Sequence, residues 1–223
     1  MSIEIRPSAE RFVTEAEGRT TRHSFSFGPY FDPANLGFAA MVAHNDELLP
    51  PGTGYADHRH SNVEIVTWVL EGALRHTDSA GNTHVLAPGD VQRISAGDGI
   101  GHSEVTEPGV RTRFLQTWLR PDVPGGEPTY ATGGGLLAPT LTEVVGPGSL
   151  GVGVAGARLY LADAGPGELV LPDAARLHVF LVGGLATVGD RRLGPGDAVR
   201  LTEQNGRALQ IEEPGQVAVW AFR

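Results

Sequence analysis

The chain contains no cysteine and no lysine. The first absence excludes disulfides, thiolate metal ligands and cysteine nucleophiles. The second excludes lysine Schiff-base chemistry, because all 17 basic residues are arginine. Positive charge is outweighed, with a net charge of -9. Direct nucleic-acid binding is therefore disfavoured, since counterion release needs a concentrated basic surface. Long hydrophobic runs are missing too: no stretch approaches the ~20 apolar residues of a membrane span. The segment from Met1 to Gly18 is charged throughout, unlike a signal peptide. No membrane association is expected, and the absence of cysteine is compatible with a reducing, cytoplasmic location.

Glycine and proline are abundant, at 31 and 16, about a fifth of the chain against a usual ~12%. Such punctuation predicts an all-β protein of short strands and tight turns. Between Tyr55 and Arg120 the runs Ile65 to Leu70, Ala73 to Thr77, Thr83 to Leu86, Val91 to Ile94 and Val110 to Leu119 read as strands. Turn-forming segments such as Asp78-Ser79-Ala80-Gly81-Asn82 and Ala87-Pro88-Gly89-Asp90 separate them. The expectation is an antiparallel meander closed into a barrel or sandwich.

An internal repeat doubles this unit. Leu86-Ala87-Pro88-Gly89-Asp90-Val91-Gln92-Arg93-Ile94 matches Leu193-Gly194-Pro195-Gly196-Asp197-Ala198-Val199-Arg200-Leu201. Two β-barrels in tandem are predicted: residues 1-125, then a Gly- and Pro-rich linker or covering loop over 126-148, then 149-223.

Two clusters carry candidate chemistry, His58-Arg59-His60 and His102-Ser103-Glu104. In a strand, residues two apart point to one face, so each cluster aims both potential ligands the same way. Three histidines and a carboxylate can then meet inside a barrel, a ligand set that suits a mononuclear metal ion with open positions. Counting from the shared glycine and proline, the second copy of the repeat carries Val170, Pro172, Leu209 and Ile211 where the first has ligands. The first copy is thus expected to hold the metal and the second to be structural, with His178 a packed or surface histidine.

The sequence resembles the pirin family of bicupins. The resemblance rests on His23-Ser24-Phe25-Ser26-Phe27, Tyr30-Phe31-Asp32-Pro33, Asp57-His58-Arg59-His60, the run from Glu64 to Gly72, Pro88-Gly89-Asp90, Ser95-Ala96-Gly97 and His102-Ser103-Glu104. It is close from about residue 20 to 131. It implies two cupin (jelly-roll) barrels, with His58, His60, His102 and Glu104 on one divalent metal in the first and no metal in the second. Iron(II) is the first choice, with nickel, copper, zinc, manganese and cobalt as competitors. Glu64 is the rival carboxylate, since the general cupin pattern places a glutamate ligand shortly after His-x-His; Glu104 is favoured through its strand pairing with His102. Arg59 stands where many relatives have proline, and parity directs it away from the metal.

The resemblance further implies a quercetin 2,3-dioxygenase-like enzyme acting on a flavonol-like substrate and O2, releasing carbon monoxide, with Glu104 also serving as general base. The rival class is an iron-containing regulatory protein acting through a protein partner without turnover. Other residues receive structural readings: His76 and His84 as solvent-facing hairpin residues, His44 in a turn and His23 capping a loop. Trp68, Trp118, Phe25, Phe27 and Phe31 are read as core.

Overall fold

Residues 2–135, 137–204 and 206–223 are described by the computed structural model. They form β-strands joined by turns, with one short 3-10 turn at Ser8–Glu10, and no helix is long and apolar enough to cross a membrane. The chain divides into two compact units. One comprises residues 12–135 with 152–154, the other residues 1–11, 136–151 and 155–223.

The first strand, β1 (Ser2–Arg6), belongs to the second unit. The metal-candidate unit then runs through β2 (Phe12–Ala16), β3 (Arg19–His23), β4 (Met41–Leu49), β5 (Gly54–His60), β6 (Glu64–Glu71), β7 (Leu74–Asp78), β8 (Thr83–Leu86), β9 (Asp90–Ser95), β10 (Ile100–Thr106), β11 (Thr112–Leu119) and β12 (Thr129–Gly134). Its sheets have the orders β12-β9-β6-β11-β4-β3-β2 and β5-β10-β7-β8. From β4 to β11 the chain mostly crosses from one sheet to the other, so the arrangement is a jelly roll and not the expected meander.

The second unit adds β13 (Thr142–Val145), β14 (Arg158–Ala164), β15 (Gly167–Val170), β16 (Arg176–Leu181), β17 (Leu185–Val188), β18 (Arg191–Leu193), β19 (Ala198–Thr202), β20 (Ala208–Glu213) and β21 (Gly215–Phe222). The order β9-β6-β11-β4 recurs here as β19-β16-β21-β14, and β5-β10-β7-β8 recurs as β15-β20-β17-β18. The sequence repeat is therefore a repeat of topology, the bicupin layout.

The repeated Pro-Gly-Asp builds the same turn twice. Asp90 N–H donates to the Ala87 carbonyl at 3.0 Å and Asp197 N–H to that of Gly194 at 3.1 Å. Gly89 and Gly196 take the positive φ of 92° and 81° that this turn needs after proline. Each aspartate then accepts back from the first residue of the turn, Ala87 N–H or Gly194 N–H, at 2.8 Å.

The boundaries differ from those expected. Much of the 126-148 segment is strand: β12 pairs with β9, and β13 with β14. Residues 2–6 join the second unit by pairing with β19. Edge strands such as β12, Thr-Tyr-Ala-Thr-Gly-Gly, are held by backbone hydrogen bonds and need no apolar run, so composition hides them. Met1, Leu136 and Asn205, which fall within the expected segments, lie outside the described residues.

The interiors of the two units are chemically opposite. In the second, a continuous apolar cluster includes Leu169, Leu171, Val179, Val199, Leu209, Ile211 and Val219. Strand register sets Thr67, Gln92 and Gln116 of the first unit against Val179, Val199 and Val219. Through the β7–β8 and β17–β18 pairs it sets Glu104 against Leu209, His102 against Arg207 and His58 against Leu171, so that the expected counterparts Leu209 and Ile211 are displaced by two residues. The expected counterparts Val170 and Pro172 are thus displaced by one residue; Val170 is 65% exposed. His178 is buried in β16.

Candidate metal centre and its cavity

Strand β10 alternates strictly, burying Ile100, His102, Glu104 and Thr106. On β5, His60 lies opposite Ile100 and His58 opposite His102, but Glu104 lies opposite Tyr55. Three residues of β5 thus span two of β10, a bulge at Ala56-Asp57. The bulge brings Tyr55 onto the same face as His58 and His60, and all three line one cavity. Arg59 points away, its guanidinium lying against Gly99. Close packing of β5 on β10 depends on Gly54, where a Cβ would stand 2.1 Å from the Glu104 carbonyl oxygen.

Nitrogen atoms of His58, His60 and His102 lie within 4.8 Å of one another. The Nδ1 of His58 is 2.8 Å from the Ala56 carbonyl, to which it donates, leaving Nε2 with a free lone pair. Nε2 of His60 and both ring nitrogens of His102 are buried without a hydrogen-bond partner among the described residues. Burial pulls His60 down to about 4, with the neighbouring His102 and His58 adding to it. His102 is pulled down to about 3 by burial and by His58 and His76. Neutral, converging and unsatisfied imidazoles are costly in a dry interior. They fit a divalent cation, which would satisfy their lone pairs.

Glu104 sits beside this cluster, with an oxygen within 4.8 Å of ring nitrogens of His76 and His102. Its carboxylate is tightly held. Gln92 Nε2 donates to Oε1, and Gln116 Nε2 donates to Oε2 at 2.8 Å. The amides are themselves oriented: Trp118 Nε1 donates to Gln116 Oε1 at 2.9 Å and the Tyr130 hydroxyl to Gln92 Oε1 at 3.2 Å. Glu64, the rival carboxylate, belongs to neither cluster. Its Oε2 accepts from the Ser95 hydroxyl at 2.6 Å and Oε1 lies against Gly153.

A cavity of about 300 Å³ opens onto His58, His60 and Glu104. Phe27 and Trp118 form an aromatic corner, with ring centroids 5.7 Å apart. Opposite in character are Thr21, Glu47, Tyr55 and Arg19, which give the cavity a polar wall. Glu47 is 2% exposed. Its Oε2 accepts from the Thr21 hydroxyl at 2.6 Å and from the Tyr55 hydroxyl at 2.9 Å. Burial pushes its carboxyl up to about 7 against the lowering effect of those two hydrogen bonds.

Several structural readings change. His76 is fully buried, not solvent-facing: its Nε2 lies 3.1 Å from Asp78 Oδ2, and its ring stacks on Tyr130 at 4.4 Å. His84 is exposed, as expected. His44 lies within β4 and contacts the Thr117 hydroxyl at 2.9 Å. His23 is buried between Thr14 and Asn45 and lines the cavity. Trp68 and Phe25 are core, whereas Phe31 is 72% exposed. Gln92, Gln116 and Glu47 were not singled out by motif, although the internal repeat sets the two glutamines against buried valines.

The Pirin family model matches residues 6–119. A Mycobacterium tuberculosis protein named "Putative quercetin 2,3-dioxygenase" is 42% identical over 233 residues, covering 98% of this chain and 94% of its own. The "Quercetin 2,3-dioxygenase" of Escherichia coli K12 is 41% identical over 129 residues, 57% of this chain and 56% of its own. Among solved structures, Escherichia coli YhhW superposes with a TM-score of 0.94 at 29% identity, covering 100% of this chain and 98% of its own. The bacterial pirin YhhW in complex with nickel(II) gives 0.93 at 28% identity, with 99% of each chain covered.

Proposed function

This chain belongs to the pirin family, and from that premise we propose that it is a metal-dependent dioxygenase opening a flavonol such as quercetin. His58, His60, His102 and Glu104 would hold one divalent cation, iron(II) being our first choice. The observation that carries the reading is the set of buried, unpaired imidazole nitrogens of His60 and His102, in a cluster whose His58 and His60 line an aromatic-walled cavity together with Glu104. The nickel(II) complex of YhhW supports a divalent cation in this fold.

When bound, the cation would supply Lewis acidity that stabilises a substrate oxyanion. The chain's own contribution is positional. His58 presents Nε2 because the Ala56 carbonyl holds its Nδ1–H. Gln92 and Gln116 fix both oxygens of Glu104. Phe27 and Trp118, in edge-to-face contact, form an apolar corner of the cavity against which a planar ring can pack, and ~300 Å³ is the lower end for a ligand pocket. In the overall reaction both oxygen atoms of O2 enter the ring-opened ester acid, and one ring carbon leaves as carbon monoxide.

Loss of quercetin absorbance under air, with protein loaded anaerobically with iron(II), tests this beside a His58→Ala variant of verified fold. Turnover that vanishes in the variant supports the dioxygenase. One equivalent of bound metal without turnover would instead favour a regulatory protein that reads metal state through a partner.

A further inference from the structure

Two carboxylates line the cavity, and they are held in different ways. Both oxygens of Glu104 receive an amide donor, Gln92 on Oε1 and Gln116 on Oε2, and Thr67 adds a hydroxyl at 3.5 Å to Oε1. A carboxylate fixed at both ends is a good metal ligand and a poor mobile base. Glu47 has both of its donors, the Thr21 and Tyr55 hydroxyls, on Oε2. Its Oε1 takes no hydrogen bond from any described residue and is not among the fully enclosed unpaired atoms, so it is open to the cavity it lines.

The duplicate unit provides a comparison within the same chain. Glu47 pairs with Phe114 and Gln116 with Asn45; in the second unit Ala162 pairs with Val217 and Val219 with Tyr160. Register therefore sets Glu47 against Ala162, a buried member of the apolar core. An acid at this strand position is not required by the fold, and burying it carries a desolvation cost. The groups that hold it come from two other strands, Thr21 on β3 and Tyr55 on β5, and Tyr55 reaches it because of the Ala56-Asp57 bulge. The Arg19 guanidinium lies 4.5 Å over the Tyr55 ring and secures that side of the clamp.

We propose that Glu47 is the catalytic proton acceptor of the reaction described above, and that Glu104 serves only as a ligand. The inference rests on that dioxygenase reading. In the step, the O–H bond of the substrate's enolic hydroxyl breaks and an O–H bond forms on Glu47 Oε1. The electron pair stays on the substrate oxygen, which faces the metal centre. After ring opening the proton passes from Oε1 to the product carboxylate, restoring Glu47. A carboxyl raised by burial to about 7 suits both directions of transfer near neutrality. The charged and titratable groups that share the cavity wall with it are Tyr55, Glu104, Arg19, His23, His58 and His60, with Asp46 adjacent in sequence and turned to Arg113.

Glu47→Gln, Glu47→Asp and Glu104→Gln, each loaded with iron(II), test the assignment by three readouts: metal content, turnover of quercetin, and the quercetin spectrum in anaerobic complexes. The expected result for E47Q is full metal content, a kcat lower by about 10²-fold or more, and a KM within a few-fold of wild type. Its anaerobic complex should develop the red-shifted band of the deprotonated flavonol only at higher pH than wild type. E47D, which keeps the acid but withdraws it, should fall between the two and guards against a fold defect in E47Q. E104Q should lose metal. An active wild type beside an equally active E47Q with an unchanged spectrum overturns the role of Glu47 alone. Loss of metal from E47Q overturns it as well, because the residue would then act through the site. A wild type that neither turns over nor binds quercetin overturns the dioxygenase reading, and the Glu47 assignment with it.

Discussion

Gln116 Nε2 donates to Glu104 Oε2 at 2.8 Å, whereas register puts Val219 and Leu209 at these two positions of the duplicate unit, both within its apolar core. One architecture thus carries either a dry core or a polar site, and the choice is made by a few inward-facing positions. Thr67, Gln92, Gln116 and Glu104 stand where the second unit has aliphatic side chains, and the strand order is unaltered.

The amide pair is expected to matter in two ways. Gln116→Ala leaves a buried carboxylate short of a donor and should lower the stability of the metal-free protein by ~1–3 kcal/mol. Because it also frees Glu104 to turn, metal affinity should fall by ~10–100-fold. Chemical denaturation and competition with a chelator measure the two effects separately. An unchanged metal affinity would show that Glu104 is not held through Gln116.

The two candidate glutamates separate cleanly by environment. Glu64 is tied to Ser95 and lies against Gly153, away from the imidazole cluster. Glu64→Ala should therefore retain one equivalent of metal, whereas Glu104→Ala, His58→Ala and His102→Ala should not. Elemental analysis of the purified variants decides it. Metal lost from E64A and kept in E104A would reverse the assignment of the carboxylate.

Backbone proximity makes a third expectation. A Cβ at Gly54 would stand 2.1 Å from the Glu104 carbonyl oxygen and 2.6 Å from Val105 Cα. Gly54→Ala must push β5 off β10, and these two strands carry all four proposed ligands. A stability loss of ~1–3 kcal/mol is expected from overpacking, together with weaker metal binding. Gly52→Ala, at a turn position where a Cβ meets nothing within 4 Å, is the comparison that separates displaced strands from a general glycine effect; its φ of 68° means that it carries some backbone strain of its own. Equal metal binding by G54A and wild type would show that the β5–β10 spacing is not what sets the site.

Strand parity was enough to turn His58 and His60 toward His102 and to set Glu104 on the same face of β10 as His102, because β10 is regular and both histidines of β5 lie beyond its bulge. Tyr55 was hidden for the opposite reason. It is three residues from His58, which parity alone sends to the other face, and only the extra residue at Ala56-Asp57 reverses that. His76 was misread since Leu74, His76 and Asp78 alternate with the equally polar Arg75 and Thr77, so the segment does not say which face is interior. The place of β1 was illegible locally, as its partner β19 lies at the far end of the chain. The repeat that reveals the duplication carries one more signal: aligned through Pro-Gly-Asp, it places Gln92 on Val199 and marks it as a polar residue in a core position.

The pH dependence of stability offers a direct test of Glu47 in the absence of metal. Its carboxyl is raised by burial from the ordinary 4.5 to about 7 in the folded protein. Between those values the folded state keeps a proton that the unfolded state has released. Stability is therefore greatest below about 4.5, falls as pH rises toward 7, and is level above it as far as this group is concerned. The full span corresponds to a loss on the order of 3 kcal/mol. Glu47→Gln mimics the protonated acid at every pH and should lack this slope. Titrations elsewhere in the chain are shared by both proteins and cancel in the difference to first approximation. The stability of metal-free E47Q relative to wild type, followed by urea denaturation, should rise from pH 4.5 to 7. A difference that stays flat would mean that Glu47 is already ionised in the folded protein near pH 5. It would then enter the cavity as a fixed charge and not as an exchangeable proton site.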